Sequence, residues 1–384
     1  MNFEPDRERE ILREVVGQVA RRYGHGYYVE KARTGERPSE LWQELAGAGF
    51  LAPHVPDEYG GGGRGIAELA VVCEELAAAG CPLLLIIVSA AIGATLVSRF
   101  GTVEQRQRWL PGMADGGFRM AFGLTEPDAG SNTHRLSTKA VPHGDGYRLR
   151  GSKHYITAAD EADAILVVAR NGDLSDDGRP RLSLFVVDAD AAGLTRTPIP
   201  VQITAPETQF VLFFEDVEVP ADRRLGREGD GMRLLFYGLN PERITSAATC
   251  IGIARYALDK AVAFVNDRQV WDVPIGAHQG IAHPLAEARV QVDLATLMVQ
   301  KACWLYDHDE DAGLASNMAK YSAAEAALRA LDTAIQVHGG HGMSLEHGLA
   351  DYWGLARLFR LAPVSREMVL NYIAQRALRL PRSY

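Results

Sequence analysis

LTEPDAGSN, residues 124–132, is the stretch that decides how this sequence is interpreted. Pro127 sets a turn, and Gly130 lets a ligand approach the backbone without a Cβ in the way. Thr125 and Ser131 add hydroxyl groups. Successive backbone N–H groups in such a turn suit a pyrophosphate or the polar edge of a planar cofactor. An ordinary turn at the end of a strand is the alternative, and the residue types favour a binding site.

A second stretch, GSKHYIT at residues 151–157, places an aromatic ring beside a hydroxyl group. Tyr155 could stack on a planar ring while Thr157 forms a hydrogen bond with its edge. The same residues are typical of a plain β-strand. Taken alone, this stretch leaves both interpretations open.

Along the whole chain, the sequence predicts a helical part, then a β part, then a second helical part. Apolar residues at helical spacing predict helices at residues 7–22, 38–48, 66–79, 82–100 and 103–113, and again at 239–266, 283–306, 314–337 and 366–379. Short β-prone runs between turns predict strands at 120–124, 147–149, 164–169, 182–187 and 210–214, with turns at 143–146 and 173–178. Pro220 ends the last strand. The predicted domains are residues 1–119, 120–228 and 229–384.

Composition narrows the class of protein. A formal net charge of -9 over 384 residues argues against nucleic-acid binding, which needs basic stripes. The N-terminus has no signal-peptide pattern, and the apolar run at residues 82–98 is interpreted as a buried helix rather than a membrane span. The four cysteines lack metal-ligand spacing, as expected of reduced thiols in a cytoplasmic protein.

Two further patterns are weak. Residues 60–65 spell GxGxxG, but no strand precedes them and no acidic residue follows at the spacing of a dinucleotide fingerprint. His338, His341 and His347 lie among glycines without carboxylate or thiol partners, so we expect no metal site.

Five motifs together resemble the acyl-CoA dehydrogenase family. Besides residues 124–132 and 151–157 they are FEDVEVP (214–220) with LGREGDGM (225–232), LNPERI (239–244) and QVHGGHGM (336–343). The resemblance covers essentially the whole chain. It implies an α+β multidomain fold with an N-terminal helical domain, a central β-barrel-like domain and a C-terminal four-helix bundle. It also implies FAD bound in an extended conformation.

The resemblance assigns residues to both halves of that FAD. The pyrimidine side of the flavin and the pyrophosphate would be lined by Phe122, Leu124, Thr125, Gly130 and Ser131. Tyr155, at the usual Trp position, would pack at the ring with Ile156 and Thr157, and Thr157 would face N5. The adenosine half would be held across a subunit interface by Arg268, Trp271, His278, Gln279, Gln336, Val337, Gly339 and Gly340. Ser365 would be a further cofactor contact. Trp271 stands for the family's Phe, and Asp272 stands for its Gly.

The catalytic base is the sharpest question that the resemblance raises. Many relatives carry a Glu near the C-terminus, where this chain has Pro363, which has neither a carboxylate nor the backbone N–H that helps to polarise the thioester carbonyl in relatives. A second group of relatives, the isovaleryl and long-chain members, carries the Glu on a helix in a D-x-E-R pattern. Residues 240–243 read N-P-E-R here, so Glu242 is the candidate base, with Asn240, Arg243 and Ser131 beside the substrate. The alternatives are that Glu242 is not the base and that Arg243 is structural.

The implied activity is α,β-dehydrogenation of an acyl thioester carried by CoA or a carrier protein. Burial would raise the pKa of Glu242 toward neutrality, where proton abstraction is useful. The implied partners are a homotetramer or homodimer and an electron-transfer flavoprotein. A flavin oxidase or monooxygenase of the same fold, and a catalytically lapsed subunit of a hetero-oligomer, remain alternatives.

Overall fold

A computed structural model describes residues 6–174 and 180–382, so most of the turn predicted at 173–178 lies outside the described residues. The helices of the N-terminal part largely follow the sequence prediction. They are α1 (Arg7–Thr34), α2 (Ser39–Gly47), α3 (Ile66–Ala78), a π-helix (Ile86–Ala94) that continues into α4 (Thr95–Phe100), and α5 (Val103–Ala114). The helix predicted at 7–22 runs further because the backbone only kinks at Gly24, where φ is 67°, and α1 ends at Gly35, where φ is 72°.

The apolar run at residues 82–98 is buried inside the protein, as predicted. Its π-helical geometry departs from the continuous α-helix expected from the sequence. The carbonyl oxygen of Ala90 lies 3.1 Å from Nε2 of His54. Burial lowers the pKa of His54 to about 4, so the ring is neutral at pH 7 and Nε2–H can donate to that carbonyl. Among the described residues, no helix has both the length and the apolar character needed to cross a membrane.

The central part is one mixed sheet curled around its own core. Its described strands are β1 (Met120–Gly123), β2 (Lys139–His143), β3 (Gly146–Thr157), β4 (Ala164–Leu174), β5 (Pro180–Asp188), β6 (Leu194–Ile199), β7 (Gln209–Pro220) and β8 (Arg224–Leu225). The strand order is β6-β7-β3-β2-β4-β5-β8, and β1 pairs in parallel with β4. Strands β2 and β6 were not predicted from the sequence, because each contains a proline and β6 is a largely exposed edge strand.

Alternation along β4 explains how the sheet is buried on both faces. Ile165 and Val167 point into the core enclosed by the sheet, whereas Leu166 and Val168 point into a second core shared with the helices. This second core fixes the β domain against α5 and the start of the long helix that follows.

The C-terminal part consists mainly of α6 (Gly231–Asp267), α7 (Gln279–Asp307), α8 (Gly313–His338), α9 (Trp353–Leu361) and α10 (Arg366–Arg376). Helix α8 packs against α6, α7, α9 and α10, and a small hairpin of β9 (Gln269–Val270) and β10 (Val273–Pro274) follows α6. Helix α6 begins earlier than predicted, and α9 was not predicted. The predicted α+β architecture of helical, β and helical parts is confirmed.

Helix α6 is held by a very close contact with α3. A Cβ at Gly252 would lie 2.2 Å from the carbonyl oxygen of Glu74, so only glycine fits there. Beside this contact, Arg255 of α6 forms ion pairs with Glu74 and Glu75, which also bind Arg13 of α1. Three helices are thereby joined around one close approach.

We predict that G252A lowers the free energy of unfolding by about 2 kcal/mol or more, because the added methyl group forces α3 and α6 apart. The matched control is G26A in the exposed part of α1, where no described atom lies within 4 Å of an added Cβ. That variant should gain roughly 0.5–1 kcal/mol from its helix propensity. Chemical denaturation of both variants checks the pair, and equal stabilities would contradict the close contact.

Candidate active site

The turn at residues 124–132 is organised around a buried ion pair. Glu126 and Lys153 are both buried, and Nζ of Lys153 lies 2.8 Å from Oε1 of Glu126 and 3.0 Å from the carbonyl oxygen of Leu124. Glu126 also accepts hydrogen bonds from the backbone N–H groups of Ser137 and Thr138 and from the Ser137 hydroxyl. The turn is therefore tied to β3 on one side and to the start of β2 on the other.

Mutual attraction and hydrogen bonds keep both Glu126 and Lys153 ionised. Burial acts to raise the pKa of Glu126, but Lys153 and the hydrogen bonds outweigh it and lower this pKa to about 2. Burial lowers the pKa of Lys153 to about 8, against the opposing effect of Glu126. Both groups are therefore charged at pH 7.

The groups of this turn that could contact a bound molecule face outward. Gly130 and Ser131 are exposed, and no described atom lies within 4 Å of a Cβ added at Gly130. Thr125 is half-buried, and its carbonyl oxygen accepts the N–H of His154 at 2.8 Å. Phe122 and Leu124 are half-buried against the core between the β domain and the helices. These residues form one edge of the candidate site.

A bulge in β3 turns Tyr155 away from the sheet. The pairing of β3 with β7 shifts between Lys153 and Ile156, and Tyr155 has a φ of 57°. Its side chain is 60% exposed, which leaves a large aromatic face available. The neighbouring Ile156 side chain is only 1% exposed and lies in the β-domain core, so Ile156 can offer a ligand only its backbone.

Thr157 has a partner that sequence reasoning missed. Its hydroxyl group donates to Oε1 of the buried Gln209, on β7, at 3.1 Å. Since a hydroxyl has one hydrogen, the Thr157 oxygen retains only acceptor capacity toward the site. The sequence carries no signal for this contact, because Gln209 lies 52 residues away.

Glu242 lies on α6 directly after Pro241, and its Oε2 atom is buried without a hydrogen-bond partner in the part of the chain that the structure describes. Burial raises the pKa of Glu242 to about 7, and the charges of Arg243 and Lys320 limit that rise. This is the environment of a general base that works near neutral pH.

The two predicted substrate residues on α6 contact each other. The buried Arg243 donates to Oδ1 of Asn240 at 3.1 Å, while its Nε atom has no partner among the described residues. Burial lowers the pKa of Arg243, and Glu242 opposes this. An unpartnered carboxylate oxygen and an unpartnered guanidinium N–H are thus both available near one position on α6.

Pro363 lies between α9 and α10, after a cis Ala362–Pro363 peptide bond. Ser365, predicted to contact the cofactor, caps α10, and its hydroxyl oxygen accepts the N–H of Met368 at 3.3 Å.

The residues predicted for the adenosine half lie at the far ends of α6 and α8. Trp271 and Asp272 form a two-residue hairpin loop in which both residues have positive φ, of 51° and 63°, as a type I′ turn requires. Trp271 is 83% exposed, and its ring meets that of His278 at a centroid distance of 5.8 Å. Arg268 and Gln279 are exposed on either side of this loop.

Gln336, Gly339 and Gly340 are exposed at the end of α8, and no described atom lies within 4 Å of a Cβ at either glycine. Val337 is buried. The rings of His338, His341 and His347 pack around Phe264 near the end of α6, so these histidines form an aromatic cluster. The ends of the two helices therefore come together.

The length of α6 separates this group from Glu242. The 26 residue steps from position 242 to position 268 correspond to about 39 Å of helix at 1.5 Å per residue. Glu242 and the group around Arg268 therefore lie toward opposite ends of α6.

The residues fit a large planar cofactor with a phosphate-bearing arm. The turn offers open backbone at Gly130, the bulge offers the exposed ring of Tyr155, and the hairpin offers Trp271 beside Arg268. Comparison with known proteins identifies the family along the chain. Acyl-CoA dehydrogenase family models match at residues 6–117 (N-terminal domain), 121–217 (middle domain) and 229–378 (C-terminal domain).

Individual proteins agree with the family models. The chain is 51% identical to the acyl-CoA dehydrogenase FadE12 of Mycobacterium tuberculosis, covering 100% of this chain and 99% of that protein. It superposes on butyryl-CoA dehydrogenase from Megasphaera elsdenii with a TM-score of 0.92 at 27% identity, covering 99% and 100% of the two chains. For a glutaryl-CoA dehydrogenase from Mycobacterium smegmatis in complex with FADH2, the TM-score is 0.91 at 25% identity, with coverages of 99% and 96%.

The chain belongs to the acyl-CoA dehydrogenase family, and it is an enzyme of that family. Members of the family are FAD-dependent, which confirms the cofactor predicted from the sequence.

We predict that K153M destabilises the protein by about 3 kcal/mol or more, because it leaves the Glu126 carboxylate buried without its counter-charge. E126Q/K153M should recover most of this loss, since no unpaired charge remains. In the wild type, the contribution of Glu126 to stability is complete above its ordinary pKa of 4.5 and is lost as the pH falls toward 2. Denaturation curves between pH 3 and pH 7 measure both effects, and a K153M variant as stable as the wild type would refute the pairing.

Proposed function

We propose that the chain catalyses FAD-dependent α,β-dehydrogenation of an acyl-CoA or acyl-carrier thioester to the 2-enoyl thioester, with Glu242 as the base. The buried, unpartnered Oε2 atom of Glu242 carries this proposal. The proposed division of labour follows the chain. Residues 1–119 form the N-terminal helical domain, 120–228 hold the flavin and substrate, and 229–384 supply the base, the partner's FAD contacts and the oligomer surface.

Glu242 is suited to remove a weakly acidic proton. With a pKa of about 7, it is substantially ionised at neutral pH and yet basic enough to accept the α proton of a thioester on its free Oε2 atom. The bound FAD supplies the acceptor for the hydride that leaves the β carbon. Glu242 as a whole is half-buried, but its Oε2 atom is shielded from bulk water, so this oxygen is not stabilised by hydration before it reacts.

Arg243 and Asn240 form the polar wall beside the base. The buried guanidinium group offsets the carboxylate charge, and its bond to Asn240 fixes its orientation. The free Nε–H of Arg243 is a donor that a substrate oxygen can use. We assign Asn240, Arg243 and the exposed Ser131 to substrate binding.

The β-domain edge is proposed to hold the flavin end of the cofactor. Tyr155 offers an aromatic face, and Thr157 is oriented by Gln209 as an acceptor. The backbone of Ile156 and the turn residues complete this edge. The turn residues are Phe122, Leu124, Thr125, Gly130 and Ser131.

The adenosine contacts are proposed to come from a second copy of the chain. About 39 Å of α6 separates Glu242 from Arg268, and this separation supports a role for the far end of the helix at the cofactor of a second copy. Val290, Leu294, Leu297 and Trp304 form an exposed apolar stripe along α7, which suits burial between copies. We propose a homotetramer or homodimer that passes its electrons to an electron-transfer flavoprotein.

E242Q should lower the rate of anaerobic flavin bleaching by about 10² to 10⁴-fold, because the amide cannot accept the α proton. In the wild type, this rate should rise as the pH increases through about 7, as Glu242 loses its proton. Rapid mixing with a panel of saturated acyl-CoA thioesters, from butyryl-CoA to palmitoyl-CoA, measures both. In a separate aerobic turnover assay, stoichiometric hydrogen peroxide without an added acceptor would point to an oxidase instead.

E207Q is the matched control. Glu207 is also buried, burial also raises its pKa to about 7, and it lies outside the proposed site, where it accepts the N–H of Leu85 at 3.1 Å. An amide oxygen keeps that bond, so E207Q should bleach at the wild-type rate. Full bleaching by E242Q would eliminate Glu242 as the base.

Mixed oligomers should test the contribution of the partner. A chain carrying R268A and W271A should lose FAD, and a chain carrying E242Q should hold FAD without bleaching. When the two variant chains are mixed in one oligomer, about one active site in four should be restored. Random pairing makes half of the dimers mixed, and each mixed dimer has one intact site. Flavin bleaching after co-refolding measures this recovery. No recovery would mean that Arg268 and Trp271 act within their own chain.

A further inference from the structure

Lys320 is a buried cation that the proposed reaction does not yet use. It lies on α8, facing α6, and its side chain is only 2% exposed. A lysine is almost never buried to this extent without a specific partner, because removing an ammonium group from water is costly. Its partners therefore indicate its role.

The bonds of Lys320 go to backbone carbonyls and not to a carboxylate. Its Nζ donates to the carbonyl oxygen of Val364 and lies 3.5 Å from that of Arg360. These carbonyls lie on both sides of the Ala362–Pro363 peptide bond, that of Arg360 in the last turn of α9 and that of Val364 in the connection to α10. Lys320 thus fastens this connection to α8.

Burial lowers the pKa of Lys320 to about 8, so the ammonium group is still mostly charged at pH 7. Its bonds do not compensate this charge, because carbonyl oxygens are neutral. The titratable and charged groups that face it are Cys250, Arg243 and Glu242 on α6 and Glu367 on α10. The charges that act on Glu242 are those of Arg243, on the same helix, and of Lys320, on the neighbouring helix α8. Cys250 is buried, and burial raises its pKa to about 12, so it is a neutral thiol at pH 7.

We propose that Lys320 is a positioning residue of the active site, whose ammonium group anchors residues 360–364 to α8 and presents a positive charge to the Glu242 carboxylate. The inference rests on the proposed role of Glu242 as the base. The charge lowers the free energy of the ionised base in a place where burial disfavours it. The anchor holds the connection whose Pro363 cannot contribute a backbone N–H.

The two halves of this role are separable by substitution. K320R keeps the charge, K320Q keeps N–H donors but removes the charge, and K320M removes both. K260M is the matched control, because Lys260 also donates from a partly buried position to a backbone carbonyl, that of His347 at 2.9 Å, but is not among the charges that face Glu242.

The charge is tested by the pH dependence of anaerobic flavin bleaching, with the acyl-CoA that bleaches the wild type fastest in the panel above. In K320Q and K320M, the pH midpoint of the acidic limb should rise by about one unit, because the Glu242 carboxylate loses a nearby positive charge. K320R and K260M should keep the wild-type limb. An unshifted limb in K320Q overturns the proposal even if K320M does not fold.

The anchor is tested by limited trypsin digestion of the FAD-loaded proteins, followed at Arg360 and Arg366. K320M should be cut faster at these sites than the wild type, while K320Q and K260M should not. Wild-type cleavage of K320M overturns the anchoring half. If E242Q bleaches fully, the proposed base has failed. If E242Q is inactive and the limb of K320Q is unshifted, only the role of Lys320 has failed.

Discussion

The close contact between α3 and α6 at Gly252 is the constraint on which the rest of the molecule depends. It brings two backbones together without an intervening side chain, and the ion pairs of Arg255 hold the same junction. Helix α6 approaches a neighbour closely a second time, where Gly238 faces Leu96 of α4. Glu242 lies one turn beyond Gly238, so the proposed base follows directly on a point where the backbone of α6 packs against the Leu96 side chain.

Two glutamates show how the same side chain is given opposite properties. Both Glu126 and Glu242 have buried carboxylate oxygens, but Glu126 accepts four hydrogen bonds or ion contacts and its pKa falls to about 2. Glu242 has a free oxygen, and its pKa rises to about 7. The first is a fixed structural charge that shapes a turn. The second can exchange a proton near neutral pH, as the proposed reaction requires.

Much of this organisation could be predicted from the sequence, and the failures have physical causes. Long amphipathic helices such as α7 and α8 were found because apolar periodicity is a local signal. Strands β2 and β6 were missed because prolines and polar residues hide an edge strand that pairing alone stabilises. The turn around Gly130 and the helix that carries Glu242 were predicted, and the binding and catalytic roles of these residues stay predictions. Gln209 and Lys320 were not predicted, because their partners are distant in sequence and only folding brings them together.

The length of helix α6 sets the distance between the two functional groups at its ends. In the proposed assembly, one end carries the base of one active site and the other end reaches toward the cofactor of a neighbouring copy. An insertion or deletion of a single residue between positions 242 and 268 would turn one end relative to the other by about 100°, because 3.6 residues complete a turn. In such an oligomer, the length of this one helix therefore determines the distance between active sites.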